Sequence, residues 1–328
     1  MTGPTLVTGA SGFIGGHIAR RLAADGRPVR ALVRATSDTS GLSGVELAVG
    51  DLGDGVSLAR AAAGCASVVH CAALVSDWAT VAEIAAVNVD GTARLLEACR
   101  AAGVGRLVHI STTDVYGHPG VAQVDETRPP GPFANWYAQT KLEAEALVRA
   151  AGLEWVIVRP ATVYGPGSVD VVGQIADAVL GGHMVLVGHG RANAGLAYVD
   201  NVADLVVLAL DQPGAAGETF NATDSLDVTW RRFVADLASG LGGTPARWSL
   251  PYGLAHALGL GLEQGYRLAR RATGLTTVPL LSRQAVQVMG IDQDFSNARA
   301  RERLGWAPRV GYAEGLAATL DWLRSRTL

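Results

Sequence analysis

The chain has 328 residues, with 27 Lys+Arg against 30 Asp+Glu, a formal net charge of −3 and 49% hydrophobic residues. Disorder needs low hydrophobicity and high net charge, and nucleic-acid binding by a basic face needs an excess of cations; the chain has neither, so both classes are excluded. Its three cysteines, Cys65, Cys71 and Cys99, build neither a disulfide framework nor a four-thiolate metal site, which points to a reducing compartment.

Short, continuous, β-branched-rich apolar runs occupy residues 5–8, 29–33, 45–49, 67–71, 106–111 and 154–159. Strands buried on both faces of a parallel sheet read in this way, without polar alternation. Stretches of helical period lie between them, at 13–24, 56–63, 81–102 and 136–151. The alternation predicts an α/β fold, a doubly wound parallel sheet of Rossmann type, in which ligands bind past the carboxyl ends of the strands. Beyond Pro160 the rhythm changes. Gly165-Pro166-Gly167 breaks the chain, 169–180 reads as a helix, 184–187 and 196–199 as short strands, and 202–210 as a helix, with Phe220-Asn221 returning to the sheet. Further helices are expected at 229–241, 251–271, 282–288 and 312–325.

The segment Thr8-Gly9-Ala10-Ser11-Gly12-Phe13-Ile14-Gly15 stands between the first strand and the first helix. Glycines at this spacing permit a tight turn, close approach of backbone to a pyrophosphate and close helix–strand packing, with the anion at the helix N-terminus. Residues 1–164 with 196–224 are therefore read as a dinucleotide-binding domain. Residues 165–195 with 225–328 form a smaller, interleaved substrate-binding lobe and C-terminal tail. An acidic residue closing the second strand suits a ribose 2′-hydroxyl, whereas an arginine suits a 2′-phosphate. That strand ends Leu32-Val33-Arg34 with no acid before Asp38, so Arg34 tilts the cofactor to NADP(H), with NAD(H) the alternative. Asp51, followed by Leu52, is placed near the adenine amino group. His70-Cys71-Ala72-Ala73 offers small residues where backbone passes close to a dinucleotide.

Tyr137-Ala138-Gln139-Thr140-Lys141 sets a phenol and an ammonium four residues apart on one helix face. A phenol with its ordinary pKa of ~10 is too weak an acid for work near neutrality, and a cation beside it lowers that value. Ser111 and Thr112, closing the fifth strand, offer a hydroxyl for the substrate oxygen. Lys141 is the only lysine of the chain, every other Lys/Arg position being Arg. A compact ammonium and a guanidinium are not interchangeable at a catalytic site. The seven histidines show no ligand spacing with cysteines or acids, so no metal is expected.

Together these residues resemble an extended short-chain dehydrogenase/reductase of the NAD-dependent epimerase/dehydratase and 3β-hydroxysteroid dehydrogenase group. Thr8 to Gly15 matches TGxxGxxG, and Tyr137 with Lys141 matches YxxxK. The run His109-Ile110-Ser111-Thr112-Thr113-Asp114-Val115-Tyr116-Gly117 is similar to the family's HIST-xx-VYG segment. Arg159-Pro160-Ala161-Thr162-Val163-Tyr164-Gly165-Pro166 is similar to RPxxVYGP, Asn88 to Thr92 to N-x-x-G-T, and Asn297 to Pro308 to the usual tail. The resemblance implies that Tyr137 exchanges a proton with the substrate while a hydride moves to or from the nicotinamide. It implies also that Lys141 lowers the Tyr137 pKa and bonds the nicotinamide ribose, that Thr112 holds the substrate oxygen, and that Ser111, Pro160 and Val163 lie along the cofactor. A homodimer built on helices 81–102 and 136–151 is the family expectation.

For the substrate, sugar-nucleotide members carry an Arg in an R-D-F stretch before V-D-D. Here the stretch reads Ala194-Gly195-Leu196-Ala197-Tyr198-Val199-Asp200-Asn201, closer to the hydroxysteroid dehydrogenase branch, with Arg191 a few residues earlier. The end of the second strand is similar to dihydroflavonol reductases. The expected substrate is an apolar secondary alcohol or ketone such as a steroid, terpenoid or polyketide, walled by Trp78, Thr113, Tyr164, Met184 and Tyr198. Trp136 and His183 lie in the same group of loops. The apolar segment 251–271, with Arg267, Arg270 and Arg271 at its end, caps a greasy pocket or rests on a membrane surface. The rivals are a nucleotide-sugar epimerase or dehydratase re-using bound NAD, and a non-catalytic redox sensor. No apolar run reaches the ~18 residues of a membrane span and no cationic leader opens the chain, so a cytoplasmic protein without a transmembrane segment is expected.

Overall fold

The computed structural model describes residues 3–133, 135–273 and 281–326. Strands lie at β1 (Thr5–Thr8), β2 (Val29–Val33), β3 (Glu46–Val49), β4 (Ser67–His70), β5 (Arg106–Ile110), β6 (Glu154–Pro160), β7 (Thr162–Tyr164), β8 (Val185–Val187), β9 (Leu196–Tyr198), β10 (Thr219–Ala222) and β11 (Trp248–Leu250). Helices are α1 (Phe13–Ala24), α2 (Gly55–Ala62), α3 (Val81–Ala85), α4 (Gly91–Ala102), α5 (Trp136–Ala150), α6 (Gln174–Leu180), α7 (Val199–Asp211), α8 (Trp230–Leu241), α9 (Tyr252–Thr273), α10 (Arg283–Gly290), α11 (Ala298–Leu304) and α12 (Tyr312–Arg326).

Seven strands form one parallel sheet in the order β10-β6-β5-β4-β1-β2-β3. The doubly wound α/β expectation is met. Alternate residues of each strand serve opposite faces. Val7, Val69, Val108 and Ile110 pack with Ile18 and Leu22 of α1 and Leu205 and Val206 of α7. Leu6, Val68, Leu107 and Ile157 pack on the other face with Leu58, Leu95, Leu96 and Val148 from α2, α4 and α5. Each such side chain contributes roughly 1.5–3 kcal/mol by leaving water, which is why the middles of these strands carry consecutive apolar residues. The third strand departs from that expectation. It closes the sheet, and Val49 is 62% exposed.

The strand order reverses between β1 and β4, which places a crevice at their carboxyl ends. Arg106 anchors the neighbouring layer: its Nη1 donates to the carbonyls of Ala209, Leu210 and Gln212, the orphan acceptors at the end of α7. The predicted helix 81–102 is interrupted by a wider π-turn at Ala86–Asp90. That turn carries Asn88, whose side chain bonds both main-chain groups of Leu74 (2.7 and 3.1 Å) and the Thr140 hydroxyl (3.2 Å). A π-turn changes the register of a helix face and here lets one buried amide tie the loop after β4 to α5.

A second core joins Ile175 and Val179 of α6, Trp230, Phe233 and Leu237 of α8, and Leu320 and Leu323 of α12. Two small parallel pairs, β7 with β9 and β8 with β11, lie outside the main sheet. The tail returns to the first core through Ala300, Leu304 and Trp306. Asn201 holds it there, taking the N–H groups of Arg309 and Val310 and donating to the Val310 carbonyl and to Asp224.

Candidate active site

The glycine loop is shaped by contacts that leave no room for a side chain at Gly9 and Gly15 and little at Gly12. Gly9 has φ +69°, and a Cβ there would lie 2.8 Å from the Ala72 nitrogen. At Gly15 it would lie 2.3 Å from the Gly9 carbonyl oxygen, and at Gly12 it would lie 3.2 Å from the same atom. Gly12 opens α1 with no side-chain cap, so the first-turn N–H groups of Phe13, Ile14 and Gly15 face the end of the sheet. This cradle fits an anionic pyrophosphate. Ala72 also donates its N–H to Thr8 Oγ1 at 3.2 Å, which seats the Cys71–Ala73 backbone against the loop.

At the end of β2, Arg34 is exposed and its main-chain N–H reaches Ser37 Oγ at 3.1 Å. Ser11 Oγ lies 3.3 Å from the same hydroxyl. Ser37 thus gathers the glycine loop and the β2 end, a role its sequence position did not signal. Asp51 is exposed and accepts Gly53 N–H at 2.7 Å, while Leu52 is buried and pressed against Gly91 of α4.

One face of α5 carries Tyr137, Lys141 and Glu145 at intervals of four. Asn135 caps the helix, accepting the Ala138 N–H at 3.0 Å. Lys141 is 2% exposed and donates to the Ile110 carbonyl (2.6 Å) and to His109 Nε2 (3.2 Å). Burial lowers its pKa to about 8, against a smaller upward pull from the Glu145 carboxylate. No hydrogen bond joins it to Tyr137. Burial, with Asp114 behind it, instead pushes the phenol above its ordinary value. The expected lowering of that pKa is therefore not what this geometry shows: spacing on a helix fixes the face, not where a long flexible side chain ends. Thr112 caps the turn Thr113–Tyr116, its Oγ1 accepting the Asp114 N–H at 3.2 Å, so its own O–H remains available to an incoming acceptor. Ser111 is buried at the end of β5, near the Glu145 carboxylate.

Comparison with known proteins places this geometry. The sequence profile described as the NAD dependent epimerase/dehydratase family matches residues 5–223. The chain belongs to the NAD-dependent epimerase/dehydratase family. It is 35% identical over 323 residues to the 4-hydroxy-2-methyl-3-oxo-4-farnesyl-3,4-dihydroquinoline-1-oxide ketoreductase of Stigmatella aurantiaca, covering 96% of this chain and 95% of the relative. It is 32% identical over 322 residues to the 2-alkyl-3-oxoalkanoate reductase of Stenotrophomonas maltophilia (strain K279a), covering 95% and 96%. Among solved structures, MoeE5 in complex with UDP-glucuronic acid and NAD superposes with a TM-score of 0.78 at 27% identity over 99% of this chain and 100% of that one. This member of the family is an NAD(P)-dependent oxidoreductase.

In this oxidoreductase the aromatics read as a pocket wall are placed differently. Tyr164, Met184 and Tyr198 are at most 8% exposed and belong to the second core rather than to an open wall. Tyr164 packs edge-on against Tyr198 and Phe233, and Gly315 of α12 sits under its hydroxyl. His183 is exposed. Thr113 is buried, whereas Trp78 is half-buried and meets Tyr266 of α9 at 5.1 Å.

The inner face of α9 and the start of α10 cover the region around Tyr137. Arg270 donates to the Trp78 carbonyl at 3.0 Å and pairs with Glu83 at 2.9 Å. Glu263 takes the N–H and Nε of Arg283, and Ser282 donates to Asp77 at 2.5 Å. Asp114, its carboxyl held above the usual range by burial, is bonded by Gln284 Nε2 at 2.9 Å, with His118 at 3.9 Å. Asp77, Asp114 and Gln284 were not singled out from sequence. Asp114 stands beside Thr112 and Thr113 and was within reach of that reading; Gln284 comes from a distant segment with no local signal. The outer face of α9 leaves Leu254, Leu258 and Leu268 exposed. No helix among the described residues is long and apolar enough to cross a membrane, and the side chain of Arg271 lies outside the described residues.

Proposed function

We propose that the protein is an NADP(H)-dependent ketoreductase acting on an apolar ketone, with Tyr137 as proton donor. The observation that carries this reading is a half-buried phenol on the helix face that also carries the buried Lys141 ammonium, its proton retained because its surroundings raise its pKa, with the free Thr112 hydroxyl just past the end of β5. A protonated acid is the form that reduction of a carbonyl consumes. The names of the two curated relatives, both reductases of ketones on largely apolar molecules, support the substrate class. The missing Arg in residues 194–201 supports it also.

In this reading Gly9, Ser11, Gly12, Phe13, Ile14 and Gly15 hold the pyrophosphate, Arg34 with Ser37 the 2′-phosphate, and Asp51 and Leu52 the adenine. Ala72, Ala73, Ser111, Pro160 and Val163 line the remaining length of the cofactor, which when bound supplies the hydride. Thr112 donates a hydrogen bond from its hydroxyl to the substrate carbonyl, keeping its proton, and polarises it. Tyr137 then gives its proton to the oxygen as negative charge develops there, and Lys141 stabilises the resulting phenolate. Trp78 and Thr113 stay as pocket residues. The two-domain division of the chain and a homodimer through α4 and α5 belong to the same proposal. The likeness to MoeE5, bound to a sugar nucleotide and NAD, favours one rival: an epimerase or dehydratase that recycles its cofactor.

The test is Tyr137→Phe. NADPH-dependent reduction of long-chain 3-oxo compounds should disappear while the NADPH titration curve is unchanged. Full activity in the variant would sink the proposal.

A further inference from the structure

Beneath the site, β4 and β5 place two histidines directly opposite each other, His70 and His109, with ring centroids 5.2 Å apart. Both are essentially without solvent exposure, on the sheet face that carries Leu6, Val68, Leu107 and Ile157. Their bonding differs. His70 uses both nitrogens, Nδ1 with Thr8 Oγ1 at 2.8 Å and Nε2 with Thr92 Oγ1 at 2.9 Å. His109 uses only Nε2, on Lys141, and its buried Nδ1 has no partner. An imidazole kept for packing alone would be replaced at no polar cost by an aliphatic side chain. The unpartnered nitrogen is tolerated for the sake of the other one.

We propose that His109 is a positioning residue for Lys141: with the Ile110 carbonyl, its Nε2 binds two of the three ammonium N–H groups and directs the third toward the open end of the sheet. The proposal rests on the assignment of Lys141 to the active site given above. It goes beyond that assignment by naming what holds the ammonium there.

The tautomer follows from the chemistry of the ring. An ammonium that donates to Nε2 requires the imidazole proton on Nδ1, where nothing receives it. When Lys141 loses its proton, the imidazole can carry its own proton on Nε2 and donate to the amine without any heavy atom moving. The contact thus persists in both states and is the stronger with the ammonium, since an ionised donor makes the stronger hydrogen bond. The other groups facing it are fixed in kind. Glu145 on α5 favours the charged lysine but is itself engaged by Arg159 of β6 and by Arg149. Cys71, after β4, is held as a thiol by burial, which raises its pKa to about 12. His70 stays neutral, with a pKa lowered to about 3 by burial. Tyr137 stays a phenol. Among these, His109 is the neutral acceptor in direct contact, and a hydrogen bond to the charged form favours that form.

The single lysine makes the test direct. Protein labelled with [ε-13C]lysine gives one side-chain signal, and its pH titration reads Lys141 in the free full-length chain, with no cofactor and no substrate. The wild-type midpoint should lie near pH 8. His109→Phe, which keeps the volume and removes the acceptor, should move it down by about one unit, a tenfold change. His109→Gln, whose amide oxygen reaches the same place, should restore it, and NADPH affinity should fall and recover in step. An unmoved midpoint in a folded His109→Phe protein would overturn the proposal. Should that variant not fold, long-range 1H–15N spectra of the wild-type histidines decide the matter. His109 must carry its proton on Nδ1 at pH 7, and an Nε2–H tautomer there contradicts the assignment. Because none of these readouts involves turnover, a failure of the ketoreductase reading leaves them interpretable.

Discussion

A Cβ added to Gly15 would come within 2.3 Å of the carbonyl oxygen of Gly9. Both partners are backbone, held between β1 and α1, so neither can swing aside as a side-chain terminus would. Gly15→Ala must separate the helix from the loop. It should cost about 1–3 kcal/mol of stability and weaken dinucleotide binding at least tenfold. Urea denaturation and a fluorescence titration with NADPH check both effects.

Tyr137→Phe removes the proton donor and little else. The loss of general acid catalysis is worth about 10²–10⁴ in rate. Turnover should fall by that factor with dinucleotide affinity and melting temperature unchanged, measured by steady-state assay and thermal denaturation.

Glu145 lies in the interior and receives Nε and Nη2 of Arg159 at 2.9 and 2.7 Å. Arg159 in turn reaches the Tyr116 hydroxyl, which bonds Asn221 of β10. Removing one partner leaves the other charge buried and unpaired. Glu145→Gln should therefore destabilise the protein by roughly 3–5 kcal/mol. The double change to leucines at 145 and 159 should cost less than either single change, and denaturant melts of the three variants test that order.

Lys141 sets a pH limit. Its ammonium form prevails below about pH 8 and is lost above it. If the charged form is required, kcat/KM for reduction should be flat from pH 6.5 to 7.5 and decline tenfold per unit well above pH 8. The linked stability has a definite sign. Between pH 8 and the ordinary lysine value of 10.5 the unfolded chain binds the proton that the folded chain has released, so this group makes stability rise with pH there. The stability advantage of Lys141→Met over wild type should accordingly shrink across that window, as equilibrium unfolding at several pH values would show.

Arg34 and Ser37 stand together at the end of β2 beside Ser11. Arg34→Ala removes the guanidinium proposed for the 2′-phosphate. It should lower NADPH affinity tenfold or more and leave NADH affinity within about twofold, since only one of the two ligands carries that charge. Paired titrations measure the ratio.

Much of this architecture was legible in the residues themselves. Runs such as Leu6-Val7 and Leu107-Val108 announce strands buried on both faces, and the spacing from Gly9 to Gly15 announces a turn that tolerates no Cβ. Position 49 misled because an edge strand and a central strand share the same apolar composition. The strands Thr162–Tyr164 and Trp248–Leu250 were not separated from their surroundings, the first following directly on Glu154–Pro160 and the second set beside Pro251 with Trp248 exposed. Tyr164, Met184 and Tyr198 looked like pocket walls because a pocket and a core demand the same apolar side chains; only packing separates them. Tyr137 and Lys141 were placed on one helix face from spacing alone. The turn of Lys141 toward His109 depended on a contact across 32 residues of chain. The environment of Asp114 depends likewise on Gln284, 170 residues further along the chain.

The most direct measurement is to titrate the purified protein with NADPH and with NADH and to analyse any dinucleotide released on denaturation. A net ketoreductase predicts exchangeable NADPH bound more tightly than NADH and no retained cofactor. Stoichiometric NAD⁺ or NADH released from the denatured protein would contradict the account and assign the site to a cofactor-recycling epimerase or dehydratase.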